Sequence, residues 1–217
     1  MSLDLIGITL LSLQVTVTAT VVASLIAMPF GAWLAVSRFR QRRVVIAVLN
    51  ALMGIPPVVV GLFVYLLLSR SGPFGVLGLL FTPTAMIVAQ VVIILPLIAS
   101  LSHQASRDLW AEYRDLMISL GASKAQRVRV LLRDGRRALL TAGLAGFGRA
   151  IGEVGAIMIV GGNIDHATRV LTTAIALETS KGNLGFAMAL GGILITLSVM
   201  VSVSVHILSR TERASRW

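Results

Sequence analysis

The sequence predicts an all-α integral membrane domain of about five transmembrane helices, and three observations carry that reading. Of 217 residues, 56% are apolar and only 13% charged, with a mean hydropathy of +0.90, whereas soluble domains carry about a quarter charged residues. The apolar residues gather into continuous runs, most of them near or above the roughly 20 residues that a spanning helix needs. The basic residues fall mostly into three clusters that abut those runs, as the positive-inside rule leads one to expect of cytoplasmic segments. The runs are far longer than barrel strands, and no alternating pattern competes with the helical reading.

The first run covers 9–36 and is followed by Arg38, Arg40, Arg42 and Arg43. The second covers 44–68 and contains Pro56-Pro57. After a turn-rich stretch, the third covers 84–101. The chain's one long polar region, 102–137, holds eight of the 19 Lys and Arg residues and reads as a basic helix that stops at Gly121 and restarts. The fourth run covers 138–160, and a mixed loop leads to the fifth, 183–208, before a tail with Arg210, Arg213 and Arg216. Placing all three clusters in the cytoplasm requires an odd number of spans, with the N-terminus outside and the C-terminus inside. The N-terminus lacks a basic region and a small-residue cleavage signal, so the first run is expected to be retained. The whole chain reads as one transmembrane domain.

Several function classes are excluded or disfavoured. The net charge of +10 sits beside membrane runs rather than on a soluble module with interleaved aromatics, which argues against nucleic acid as a partner. There are no cysteines, so neither disulfides nor thiolate metal sites arise. His103, His166 and His206 lie in separate segments without metal-ligand spacing, and no metal site is expected. No G-x-S-x-G nucleophile elbow occurs. A G-x-x-x-x-G-K-[ST] phosphate loop is also missing, so the chain is not expected to be an enzyme, and no catalytic residue or cofactor is assigned to it.

Arg149 and Glu153 are the only charged residues within the five runs. Charges at such depth are costly and usually face a bundle interior. On a continuous helix their i,i+4 spacing would place them on one face, within reach of each other. That spacing suits either a gate lining a pathway or a structural ion pair that pins packing. Gly148 and Gly152 form a small-xxx-small step for close helix approach. Pro56 and Pro57 must break helical hydrogen bonds at membrane depth, which is tolerated where neighbours or a water-lined cavity satisfy the freed carbonyls. They mark a pathway-lining kink or a plain packing kink. Asn50 and Gln90 are expected to make interhelical hydrogen bonds.

The polar region carries Asp115, Leu116 and Met117, then Gly121-Ala122-Ser123. This resembles the EAA loop of ABC-importer permeases, in which Glu-Ala-Ala is followed after three residues by Gly. Asp115 stands at the Glu position, and Arg133-Asp134 replaces the usual Leu-Pro. The run from Phe147 through Arg149 and Glu153 to Gly155-Ala156 resembles the F-x-R-x-x-x-E-x-G-A signature of the molybdate, tungstate and sulfate permeases. Gly161 to Ile164 and Thr172 to Thr179 are similar to the tungstate branch.

The resemblance implies a type I importer permease fold, with 102–137 as a cytoplasmic coupling loop. It implies that Asp115, Leu116, Leu120, Gly121, Ala122 and Ser123 couple the permease to an ATPase. The implied partners are a second copy of the chain, two cytoplasmic ABC ATPases that bind ATP and Mg, and a periplasmic or extracellular oxyanion-binding protein. The implied setting is the bacterial or archaeal inner membrane, and the implied cargo is tungstate, then molybdate or sulfate. The alternative reading is a membrane scaffold that recruits a soluble partner without moving solute.

Overall fold

The computed structural model describes residues 2–214, with side chains described for 5–203. The described residues form nine α-helices and a short 3-10 turn, with no strand. Three helices are long and apolar enough to cross a membrane unaided, and the number becomes five if each of two sharply bent helix pairs is one span.

Helix α1 (Ser2–Val36) and α4 (Pro83–Ser119) are the spine of the bundle. Between apolar lipid and apolar side chains there is little hydrophobic drive, so membrane helices associate through close backbone approach. Helix α1 supplies that with a small residue on every fourth position: Ala19, Ala23 and Ala27 are fully buried. The stripe ends at Gly31, where a Cβ would lie 2.7 Å from the Ala99 carbonyl oxygen and the His103 nitrogen of α4.

The expected third span, 84–101, is only part of α4, which continues unbroken for 37 residues. It continues past its interior Pro96, and nothing between residues 97 and 119 is Gly or Pro, so the helix runs on through the polar segment. Thr82 caps its start, its Oγ1 accepting from the Ala85 N–H at 3.4 Å, and Pro83 occupies the first turn, where a missing N–H costs nothing.

The second and fourth runs are not single helices. Helices α2 (Arg42–Leu52) and α3 (Pro57–Leu68) meet at 101°, and α6 (Arg136–Ile151) and α7 (Gly155–Gly161) at 64°. Between α4 and α6 lies α5 (Lys124–Asp134), whose Leu131 is fully buried. The loop expected at 161–182 contains a further helix, α8 (Leu171–Ser180), tied to α1 by the Leu171 N–H donating to Ser12 Oγ at 2.7 Å. Helix α9 (Leu184–Ala214) corresponds to the fifth run. The side chains of His206, Arg210 and Arg213, and all of Arg216, lie outside the described residues.

Two clusters form most of the core. One joins Val15, Val64, Met86, Ile157 and Val160; the other joins Ala23, Ala27, Leu34, Ile94, Ile98 and Ala150. At the end bearing the basic clusters, Arg42 Nε donates to the Leu34 carbonyl at 2.9 Å, satisfying a terminal acceptor of α1.

Candidate functional site

Two regions combine special backbone with exposed chemistry. The first is the turn between α4 and α5. Gly121 has φ +66°, a left-handed conformation that glycine adopts without Cβ strain. The Ala122 N–H donates to the Met117 carbonyl at 3.0 Å and the Gly121 N–H to Ile118 at 3.0 Å, the pair of bonds that makes a Schellman motif. Ser123 then opens α5 with a capping box: the Gln126 N–H donates to Ser123 Oγ at 3.3 Å, and the Ser123 N–H to Gln126 Oε1 at 2.7 Å. Such reciprocal bonds satisfy otherwise orphaned N–H groups.

The turn's angle is braced by Arg127 over the Trp110 ring, 5.6 Å from its centroid. Leu109 Cδ1 meanwhile closes on Gly135 at the far end of α5. Asp115 and Ser123 are exposed and Ala122 is half-buried. Leu116 and Leu120 are 62% and 74% exposed, so two leucines stand in the open beside charged residues. The part of the basic helix expected before Gly121 is not a separate element; it is the last turns of α4.

The second region is where the two breaks meet. Pro56 and Pro57 do not kink a helix; they end one and start another. Proline forces the residue before it out of the helical region, and Pro56 sits at φ −59°, ψ 128° as the N-cap of α3. Among the described residues no backbone N–H donates to the carbonyls of Met53, Gly54 or Ile55; the Met53 acceptor would need an N–H from residue 57, which is proline. Residues 51–56 are all exposed. The α6–α7 break lies alongside, because a Cβ at Gly155 would lie 2.5 Å from Val58 Cγ2, and one at Gly61 2.6 Å from Ala156 Cα.

The break in the fourth run also overturns the expected Arg149–Glu153 ion pair. The helix stops at Ile151, so the two residues no longer share a helical face. Glu153 is buried, and its Oε1 accepts from the Ala156 N–H at 3.2 Å, capping the first turn of α7. Arg149 is exposed, and no ion pair joins it to Glu153 among the described residues. The Gly148–Gly152 step is open as well. A Cβ at Gly148 would meet nothing within 4 Å, whereas one at Gly146 would run into Ile98 at 2.5 Å.

The break is stitched from both sides. Gln90 Nε2 on α4 donates to the Ala150 carbonyl at 3.0 Å, and Thr172 Oγ1 on α8 donates to the Glu153 carbonyl at 3.0 Å. Ser100 Oγ donates to Asn50 Oδ1 at 2.7 Å, so both expected interhelical amides find partners. Three signals for this architecture went unread in the sequence. Glycines 152 and 155 bracket an acidic residue that can cap the helix after it; small residues recur at 19, 23, 27 and 31; and Trp110 is spaced to reach α5.

Among the described residues, no group of His, Asp and Glu could hold a metal ion. At the end opposite the basic clusters, Lys181 Nζ and Asn183 Nδ2 hydrogen-bond Glu178 at 2.8 and 3.0 Å. The Lys181 bond, more than the Asn183 bond, holds that carboxyl below the usual glutamate range.

Comparison with known proteins agrees with this architecture. The tungstate uptake system permease protein TupB of Peptoclostridium acidaminophilum is 41% identical over 196 residues, covering 90% of this chain and 86% of the relative. The protein of the same name from Campylobacter jejuni is 36% identical over 173 residues, 80% of this chain and 72% of the relative. A chain of the MetNI methionine ABC transporter shares the fold with a TM-score of 0.79 at 20% identity, covering 97% of each chain. Residues 27–213 match the family described as binding-protein-dependent transport system inner membrane component, and the chain belongs to that family.

Proposed function

We propose that this chain is the membrane-spanning permease subunit of an ATP-driven importer of a tetrahedral oxyanion, tungstate first, then molybdate or sulfate. The carrying observation is the face where the α2–α3 and α6–α7 breaks meet. Backbone carbonyls without donors cannot be left facing hydrocarbon, and such irregular backbone is tolerated at membrane depth only against protein or water. The exposed carbonyls of Met53, Gly54 and Ile55 therefore favour a second copy of the chain across this face, with the pathway between the copies. Pro56 and Pro57 line it as the hinge between α2 and α3. The names of the relatives at 41% and 36% identity supply the cargo.

In this reading, two ATPase subunits bind ATP and Mg and dock on the turn at Gly121, where Leu116 and Leu120 enter a groove of the partner as exposed apolar anchors. Asp115, Ala122 and Ser123 shape the same surface. Because α4 is one helix from Pro83 to Ser119, motion delivered at Leu116 is carried through its interior Pro96 toward the far end of the bundle, roughly 50 Å away. A solute-binding protein docks at the opposite end, and the basic ends lie in the cytoplasm. The test is reconstitution of the chain with its ATPase and binding protein in liposomes. ATP-dependent uptake of tungstate, with weaker competition by molybdate and sulfate, is expected. A complex that assembles yet moves no oxyanion would favour the scaffold.

A further inference from the structure

Among the described residues Arg149 has no counter-ion, because the break that buries Glu153 takes that carboxylate out of its reach. Its depth follows from two helices. It lies 13 residues beyond Arg136, the start of α6, or about 20 Å along the axis at 1.5 Å per residue. Its neighbour Ala150 accepts from Gln90, which is seven residues, or about 10 Å, from the opposite end of α4. The two distances add to the thickness of a bilayer's hydrocarbon core, so Arg149 is held well inside it.

Thr141, Ala145, Gly148, Arg149 and Gly152 are all exposed, and their spacing sets them on one stripe of α6. Apart from Arg149 the stripe is small, and the space beside Gly148 is open. Among the described residues no acid pairs with the guanidinium. Glu153, the single acidic residue in the five apolar runs, is buried and occupied by the Ala156 N–H.

A solitary cation at this depth is costly against lipid, and such residues mark ion pathways. We propose that Arg149 is a substrate-contacting residue of the pathway, an electrostatic way-station that draws a tetrahedral oxyanion into a lane otherwise lined by small side chains. In a two-fold assembly each copy contributes one guanidinium. One exposed guanidinium per copy would attract a dianion without enclosing it, which suits transit, since conduction needs binding weak enough to allow release. The inference rests on the importer reading and adds the residue that meets the cargo.

The experiment has two arms, both on the full complex in liposomes. In the first, Arg149→Gln lowers tungstate uptake by about tenfold or more, the scale on which focused charge raises local ion concentration. ATP hydrolysis stimulated by the binding protein persists, and Arg149→Lys keeps most of the uptake. In the second, the absence of native cysteine makes Arg149→Cys a clean probe. A membrane-impermeant thiol reagent should modify it during turnover. Uptake by Arg149→Gln equal to wild type, or an Arg149→Cys thiol that never reacts in an assembled complex, overturns the proposal. If the wild type itself moves no tungstate, the importer reading fails. Reagent access at position 149 still decides whether the residue faces water.

Discussion

The carboxylate of Glu153 accepts the Ala156 N–H at 3.2 Å, three residues along the chain, and so satisfies a first-turn donor of α7 from just before its N-cap, Val154. A capping carboxylate at a helix start meets the positive end of the helix dipole, which gives a buried acid a reason to exist without a basic partner. That differs from the register-pinning ion pair the i,i+4 spacing suggested, and the two arrangements make different predictions.

Glu153→Ala is expected to lower stability by about 1–2 kcal/mol, the usual range for losing a cap, with Glu153→Gln milder because an acceptor oxygen remains. Removing Arg149 as well should not rescue it, the two effects adding within about 0.5 kcal/mol as for uncoupled sites. Thermal unfolding of the purified membrane protein reads this out. Recovery of stability in the double variant would restore the ion pair.

Gly31 and Gly148 should respond oppositely to the same small change. Gly31→Ala drives a Cβ to within 2.7 Å of backbone atoms of α4, and overpacking of this kind costs about 1–3 kcal/mol. Gly148→Ala meets open space in the single chain and should leave its unfolding temperature nearly unchanged. Gly148→Leu should instead weaken association of two copies, measured by cross-linking in membranes.

At φ +66°, Gly121→Val places a β-branched residue in the left-handed region, costing on the order of 1–2 kcal/mol or displacing the turn. Insertion and dimerisation should survive while ATP hydrolysis and uptake come uncoupled. Gly121→Asn should be milder, because asparagine tolerates this conformation. Unaltered coupling in an assembled Gly121→Val complex would remove the turn as the mechanical joint.

Orientation can be read directly, again because the chain has no cysteine. Single cysteines at Ser71 and Asn163 should react with an impermeant reagent applied to intact cells, and one at Ser123 should not. Labelling at 123 from outside would invert the topology.

Hydrophobicity and charge are local properties, and they sufficed for the membrane class and for the five apolar stretches, three of them single long helices and two of them bent pairs. The turn at Gly121 was also legible, because a glycine followed closely by Ser123, three residues before Gln126, encodes a stop and a capped restart. Gly121 and Ser123 show it in their φ and hydrogen bonds. Tertiary structure alone decided the rest. Whether residues 138–160 stay one helix depends on whether something can take over the bonds lost at Gly152, and the takers come from elsewhere: Gln90 on α4, Thr172 on α8, and the carboxylate of Glu153 itself. Likewise, which glycines are packed and which are open depends on the neighbour across the interface, Ile98 for Gly146 and nothing for Gly148. A periodic pattern states which residues share a face of an unbroken helix. It cannot state that the helix breaks, because the energy that permits the break lies in partners 60 residues before Ala150 and 19 beyond Glu153.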